Sequence, residues 1–210
     1  MKEDATTRPT LFTIGHSDHE IEAFIALLNQ HQITAVADVR SSPYSRIHSQ
    51  FNREPFAAAL KRAGIRYVFL GDELGARRAE RDSYVDRQAK YDRIRKLPAF
   101  LDGLRRLRQG MTTHRVTMLC AEKDPITCHR MVLVCRELRA EPIHLRHILA
   151  DGSLETTEQA ETRLIDEVGL PQEDLFASRE QLIELAYDAQ AEKIAYVEPD
   201  ESSAISGGMQ

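Results

Sequence analysis

The chain is predicted to be an α/β protein: a mostly parallel sheet of about five strands, helices on both faces, and further helices at the C-terminus. Three observations predict this. Short apolar, β-prone runs alternate along the chain with stretches of helical period. The run Val116–Leu119 is β-prone and apolar except for Thr117, as a buried strand should be. And polar, chemistry-bearing residues follow each predicted strand, as they do in open α/β sheets, where ligands bind beyond the carboxyl ends of the strands.

The elements follow in order. Leu11–Ile14 is a short strand, and Asp18 is placed to cap a helix over about 19–31, whose Ile21, Phe24, Ile25, Leu27 and Leu28 recur at helical spacing. Ala35–Ala37 is the second strand, ending at Asp38-Val39-Arg40. Residues 41–52 lack a period and read as a long loop. A helix over about 54–63 should stop at Gly64. Arg66–Leu70 is the third strand, leading into Gly71–Gly75. The charged residues 76–97 suggest a surface helix or a lid, and Pro98 opens a helix to about Gln109. Val116–Leu119 is the fourth strand. A polar turn at Glu122–Pro125 follows, then a helix from Cys128 to about Leu138 with Thr127 as its N-cap. Ile143–Ile148 is the last strand, before an Asp151-Gly152 turn. Thr156–Val168 and Ser178–Tyr196 are helical, and residues 199–210 read as disordered. This divides the chain into a core over 1–152, an acidic helical extension over 153–198 and a tail over 199–210.

A chain of 210 residues suits one main domain. It has no apolar run long enough for a transmembrane helix and no apolar N-terminal segment of the signal-peptide kind, so no membrane partner is expected. Three cysteines argue against a disulfide framework and fit a reducing cytoplasm. The net charge of −5 conceals an asymmetry. Residues 40–110 carry 17 Lys and Arg against 8 Asp and Glu; residues 151–210 carry 3 against 15. The middle is suited to an anionic partner, a small anion or a nucleic acid. The acidic helices are suited to covering that basic middle, in the same chain or in a homo-oligomer.

Thr13-Ile-Gly-His-Ser17, Asp38-Val-Arg40 with Ser42-Pro43, Gln50-Phe-Asn52, and Cys120-Ala-Glu122 with Cys128-His-Arg130 together resemble the bacterial and archaeal family catalogued as domain of unknown function 488. The resemblance spans about residues 11–152. It implies a Rossmann-like three-layer α/β sandwich and a site at these motifs, and it assigns no reaction.

Each candidate residue has a plain structural alternative. Cys120 is either a small buried residue or a nucleophile, the latter requiring a thiolate favoured by Arg130, Arg40 or a helix N-terminus. Glu122 and His16 are the candidates for moving protons, although an exposed loop glutamate and a turn histidine need no such role. Ser17, Asp38, Arg40, Cys128, His129, Arg130 and His147 are the candidates for holding a substrate. Cys135, seven residues after Cys128, reads as core.

Several chemistries fail on spacing. A cysteine-phosphatase loop needs an arginine six residues after its cysteine, and positions 126 and 134 are Ile and Val. No G-x-G-x-x-G, Walker or G-x-S-x-G motif occurs. Cys120, Cys128 and His129, with His16 as a further candidate ligand, form the one set that suggests a metal, but their spacing matches no standard zinc pattern, so none is assigned and no cofactor is named. Two readings are left beside that metal-binding one. One is an enzyme, a cysteine- or Glu/His-dependent transferase or hydrolase acting on a phosphate-bearing nucleotide or nucleic-acid substrate. The other is a non-catalytic nucleotide or nucleic-acid binding module, with Tyr44, Phe51 and Tyr84 available for stacking.

Overall fold

Inward and outward alternation along the strands sorts the apolar residues onto two faces of one sheet. The structure, a computed structural model, describes residues 8–200. The expected disorder at 199–210 therefore falls almost wholly outside the described residues.

The chain runs β1 (Thr10–Gly15), α1 (Ile21–Gln30), β2 (Ala35–Asp38), α2 (Arg53–Arg62), β3 (Arg66–Phe69) and α3 (Gly71–Leu74). It continues through β4 (Tyr84–Val85), β5 (Gln88–Ala89), α4 (Tyr91–Ile94), α5 (Pro98–Met111) and β6 (Val116–Cys120). A π-helical segment, Arg130–Cys135, runs straight into α6 (Arg136–Leu138). Then come β7 (His144–Ile148), β8 (Leu154–Thr156), α7 (Thr157–Glu167) and α8 (Arg179–Ile194).

The main sheet has the order β3-β2-β6-β1-β7-β8, parallel except for β8, which pairs antiparallel with β7. It thus has six strands rather than five: a strand of three residues is too short for its period to register. Phe12, Ile14, Val36, Leu119 and Ile148 face one side, where Phe24 and Leu28 of α1 and Phe56 and Leu60 of α2 cover them. Leu11, Ala35, Ala37, Val116, Met118, Cys120 and Leu145 face the other. There α3, α5, the π segment, α6, α7 and α8 pack on them.

The helix ends obey local chemistry. Gly64 takes φ 74°, and the amide of Ile65 bonds back to the carbonyl of Leu60, so α2 stops as its glycine predicts. Thr156 and Ser178 cap α7 and α8 through reciprocal capping boxes with Gln159 and Gln181. Leu164, Ile165, Leu182, Ile183, Ala186 and Tyr187 of these helices share the core cluster of the sheet face they cover.

Three further expectations are corrected. Asp18 does not cap the first helix: the N-cap of α1 is Glu20, which makes no side-chain capping bond. Residues 76–97 form no long helix. Asp86 and Arg87 both take positive φ, 46° and 67°, and turn β4 tightly into β5. Arg78 anchors the approach by donating to the carbonyls of Asp72 and Glu73. Within this span only a 3-10 turn over Arg81–Ser83 and α4, one turn long, are helical. This hairpin holds the acidic C-terminal segment: the amide of Ala89 donates to the carbonyl of Tyr196 and that of Glu198 to the carbonyl of Arg87. Arg81–Glu198 and Lys90–Glu192 ion pairs flank the contact.

Nor does Thr127 cap the helix after β6. The Asp124 carboxylate accepts from the amide of Ile126 and caps a 3-10 turn over Pro125–Thr127, which uses up Thr127. Cys128 is then extended (φ −130°, ψ 140°), and the helix begins beyond it with a π turn. An Asp-Pro pair starting its own turn has displaced the later cap. Single π turns are rare and occur often at functional sites.

Candidate functional site

The connections leaving β2 and β6 diverge. The chain leaves β2 toward α2 on one face and leaves β6 toward the π segment on the other. Strands that part in this way open a crevice at their carboxyl ends. Here the crevice is a cleft of about 330 Å³. Arg40, Ser41, Ser42 and Tyr44 after β2 form one wall, and Cys120, Ala121, Glu122, Thr127, Cys128 and His129 form the opposite one. Ala76 and Arg77 close one side, and Ile194 and Tyr196 reach in from the end of α8.

Close backbone approach makes this edge compact. A Cβ on Gly15 would lie 1.8 Å from the carbonyl oxygen of Glu122, and one on Gly71 would lie 2.1 Å from that of Arg40. Neither position has room for a side chain, so the loops after β1, β2, β3 and β6 pack backbone to backbone.

At the base of the cleft stand Cys120, Cys128 and His129. The two sulfurs and a ring nitrogen of His129 all lie within 4.8 Å of one another. His129 Nε2 is 3.0 Å from the carbonyl oxygen of Val39. A carbonyl can only accept, so Nε2 carries a proton, and the other ring nitrogen, Nδ1, faces Cys120 Sγ, 3.5 Å away. That bond also ties the loop after β6 to the end of β2. The backbone amide of Arg130 donates to Cys128 Sγ at 3.5 Å.

The two thiols are driven apart. A hydrogen bond to the Cys128 sulfur, together with burial, pushes the Cys120 thiol well up. For Cys128, burial opposes ionisation, but the Cys120 hydrogen bond, the Arg130 charge and His129 outweigh it and hold the thiol well below its usual range. Arg130 is fully buried and, among the described residues, pairs with no carboxylate. Its guanidinium donates to the carbonyls of Glu122 and Lys123 and to Thr13 Oγ1. It therefore serves the cleft as a charge behind the cysteines and not as a ligand arm.

The other expected residues gather at the same edge but inside the protein. The Arg40 guanidinium makes a two-pronged pair with the Asp38 carboxylate (2.9 and 2.6 Å), and Tyr67 donates to the same carboxylate at 2.8 Å. The strand has ended at Asp38, so Arg40 folds back onto it; Arg40 lines the cleft with its charge already matched. His16 stacks on Phe51 with ring centroids 4.4 Å apart, and its Nδ1 donates to the carbonyl of Ser17. Burial lowers its pKa to about 4. Ser17 takes φ 48° and its hydroxyl donates to Asp18. His147 is buried between Thr13 and Thr157, and burial lowers its pKa to about 3. None of these three lines the cleft. Phe51 is fully buried and Tyr84 bonds to the backbone of Arg78, so of the three aromatics expected for stacking only Tyr44 lines the cleft.

Sequence reasoning took Arg77 only as part of a basic span and missed Tyr196. The Arg77 guanidinium lies 4.5 Å over the Tyr196 ring, and no carboxylate pairs with it among the described residues. The local signal for Arg77 was hidden in a run of charges, and Tyr196 had none.

The model of the family described as Domain of unknown function DUF488 matches residues 20–136, more than half of the chain. No curated protein sequence matches it. Among solved structures, the chain aligns with that of a provisionally named phosphatase (DUF442) from Shewanella putrefaciens CN-32. The alignment has 10% identity and a TM-score of 0.36, covering 92% of this chain and 93% of the other. That likeness is too loose to carry an argument about either fold or chemistry.

Proposed function

We propose, for a chain that belongs to the DUF488 family and takes no reaction from that family's description, an enzyme acting on a phosphate-bearing substrate, a nucleotide or a nucleic-acid end. The substrate lies in the cleft between β2 and β6, with its reacting group against Cys120, Cys128 and His129. One observation carries this reading. The cluster of reactive side chains shares its cleft with Arg77, a guanidinium with no carboxylate partner among the described residues.

The remaining lining fits the same ligand. Ser42 offers a hydroxyl, and Tyr44 and Tyr196 offer ring faces to a base. Glu122, exposed on the rim, is the group placed to exchange a proton with solvent. Arg130 and the Asp38–Arg40 pair hold the walls.

Calorimetric titration with inorganic phosphate, nucleoside mono- and triphosphates and short oligonucleotides tests this, beside chromatographic assay of turnover. At least one ligand class binds, and Arg77→Ala weakens it roughly tenfold, about 1.4 kcal/mol. Cys120→Ser abolishes turnover with binding kept. Binding without turnover in the parent protein makes the cleft a recognition module. No phosphate-bearing ligand bound, or equal affinity in Arg77→Ala, overturns the reading.

A further inference from the structure

We propose that Cys120 Sγ, Cys128 Sγ and His129 Nδ1 together bind one thiophilic divalent ion, zinc by ligand type, with its fourth position open to the cleft. The proposal deepens the enzymatic reading above by giving its reacting centre a chemical identity.

Geometry supports it first. With Zn–S near 2.3 Å and Zn–N near 2.0–2.1 Å at tetrahedral angles, a sulfur and a nitrogen ligand of one zinc stand about 3.5 Å apart, and two sulfurs about 3.8 Å. Cys120 Sγ and His129 Nδ1 are 3.5 Å apart, and all three donor atoms fall within 4.8 Å. A small inward movement of one cysteine completes three corners of a tetrahedron.

The surroundings support it independently. A metal-bound histidine characteristically donates its other ring N–H to a carbonyl or carboxylate, which fixes the tautomer. His129 does this through Nε2 to Val39, leaving Nδ1 as the ring nitrogen turned toward the sulfurs. The Cys128 sulfur already receives a backbone amide, the kind of contact that steadies a coordinating thiolate. Both cysteines are buried, and the extended backbone at Cys128 with the π turn behind it sets its side chain beside the end of β6.

No fourth His, Cys, Asp or Glu joins the group among the described residues. Structural zinc sites close with four protein ligands; sites that work on substrates keep one position free. The three donors share their cleft with Arg40, Ser42 and Arg77, and on this proposal a substrate oxygen or a water from the cleft completes the shell. The local spacing, C-x7-C-H, hid the site, because it follows no familiar zinc pattern.

The test uses the full chain. Zinc content is measured by plasma mass spectrometry after dialysis, cobalt(II) is titrated as a spectroscopic probe, and thiol alkylation is followed with and without chelator. The expected result is near one ion per chain and the absorption of a tetrahedral cobalt–thiolate centre. Alkylation of Cys120 and Cys128 accelerates on chelation and is suppressed again by added zinc. Cys128→Ser and His129→Ala weaken binding by more than roughly 100-fold, beyond what loss of an outer contact costs. Cys135→Ala, at a buried cysteine outside the group, leaves it unchanged. Sub-stoichiometric binding, or alkylation rates indifferent to chelator and zinc, overturns the proposal even where a variant fails to fold, because both are read on the parent protein. Phosphate ligands bound through Arg77 by a protein without a metal site would leave the cleft reading standing and this one fallen. Metal bound without any phosphate ligand would do the reverse.

Discussion

Two groups of polar residues sit at the same edge of the sheet, and they differ in what they have left over. In the first, Asp38 receives Arg40 and Tyr67, His16 stacks on Phe51, and His147 is held between two threonines. These groups are buried and their hydrogen bonds are spent inside the protein. In the second, Cys120, Cys128 and His129 line a cleft with their donor atoms turned toward one another, and Arg77 beside them has no carboxylate partner among the described residues. Position at a strand end marks the neighbourhood of a site; unspent bonding capacity facing a cleft separates chemistry from scaffold.

The largest test of that division is Asp38→Ala. It strands the buried Arg40 guanidinium and is expected to cost about 3–5 kcal/mol, read by urea denaturation. A loss under about 1 kcal/mol would show that the first group is not scaffold.

Next comes pH. His16 and His147 are neutral when folded, with pKa values lowered to about 4 and about 3. Unfolded, each takes up a proton near pH 6.5. Between about 6.5 and 4 the unfolded chain therefore binds more protons, and stability falls as pH falls. The slope is up to about 1.4 kcal/mol per pH unit for each histidine. Denaturation series at pH 7, 6 and 5 should show it, and His147→Gln should remove about half. A flat profile in the parent would contradict the burial of both rings.

A smaller effect belongs to the second group. Arg77→Ala changes stability by no more than about 0.5 kcal/mol, as an exposed side chain should. It still lowers ligand affinity by the tenfold given above, so stability and binding separate at this residue. Smallest is Tyr196→Ala, expected to weaken nucleotides a few-fold by losing a stacking face and to leave inorganic phosphate unaffected. Equal losses for both ligands would mean that Tyr196 acts only by holding Arg77.

Much of this was legible beforehand because it is local. Gly64 stops α2 and Pro98 opens α5 through backbone rules that need no partner. The parallel sheet follows from apolar runs set between helical periods. Cys120, Cys128 and His129 fall within ten residues of one another, so a strand followed by a turn and a helix was enough to bring them together. The short β8 and the hairpin in the charged span were not legible. Three residues carry no period, and a turn of Asp86-Arg87 at positive φ lacks the glycine that would have announced it.

The sequence by itself thus determined the layers, the edge and the core of the reactive cluster, since each depends on periodicity or near neighbours. Only the tertiary structure decided which strand-end residues reach the cleft. One residue's shift along a strand turns a side chain to the other face, which is why His16 lies against Phe51 while Cys120 meets His129. It also decided that Arg77 and Tyr196, more than a hundred residues apart, close the same cleft. Their meeting depends on a hairpin gripping the end of the chain, and no local pattern encodes a contact between segments so distant.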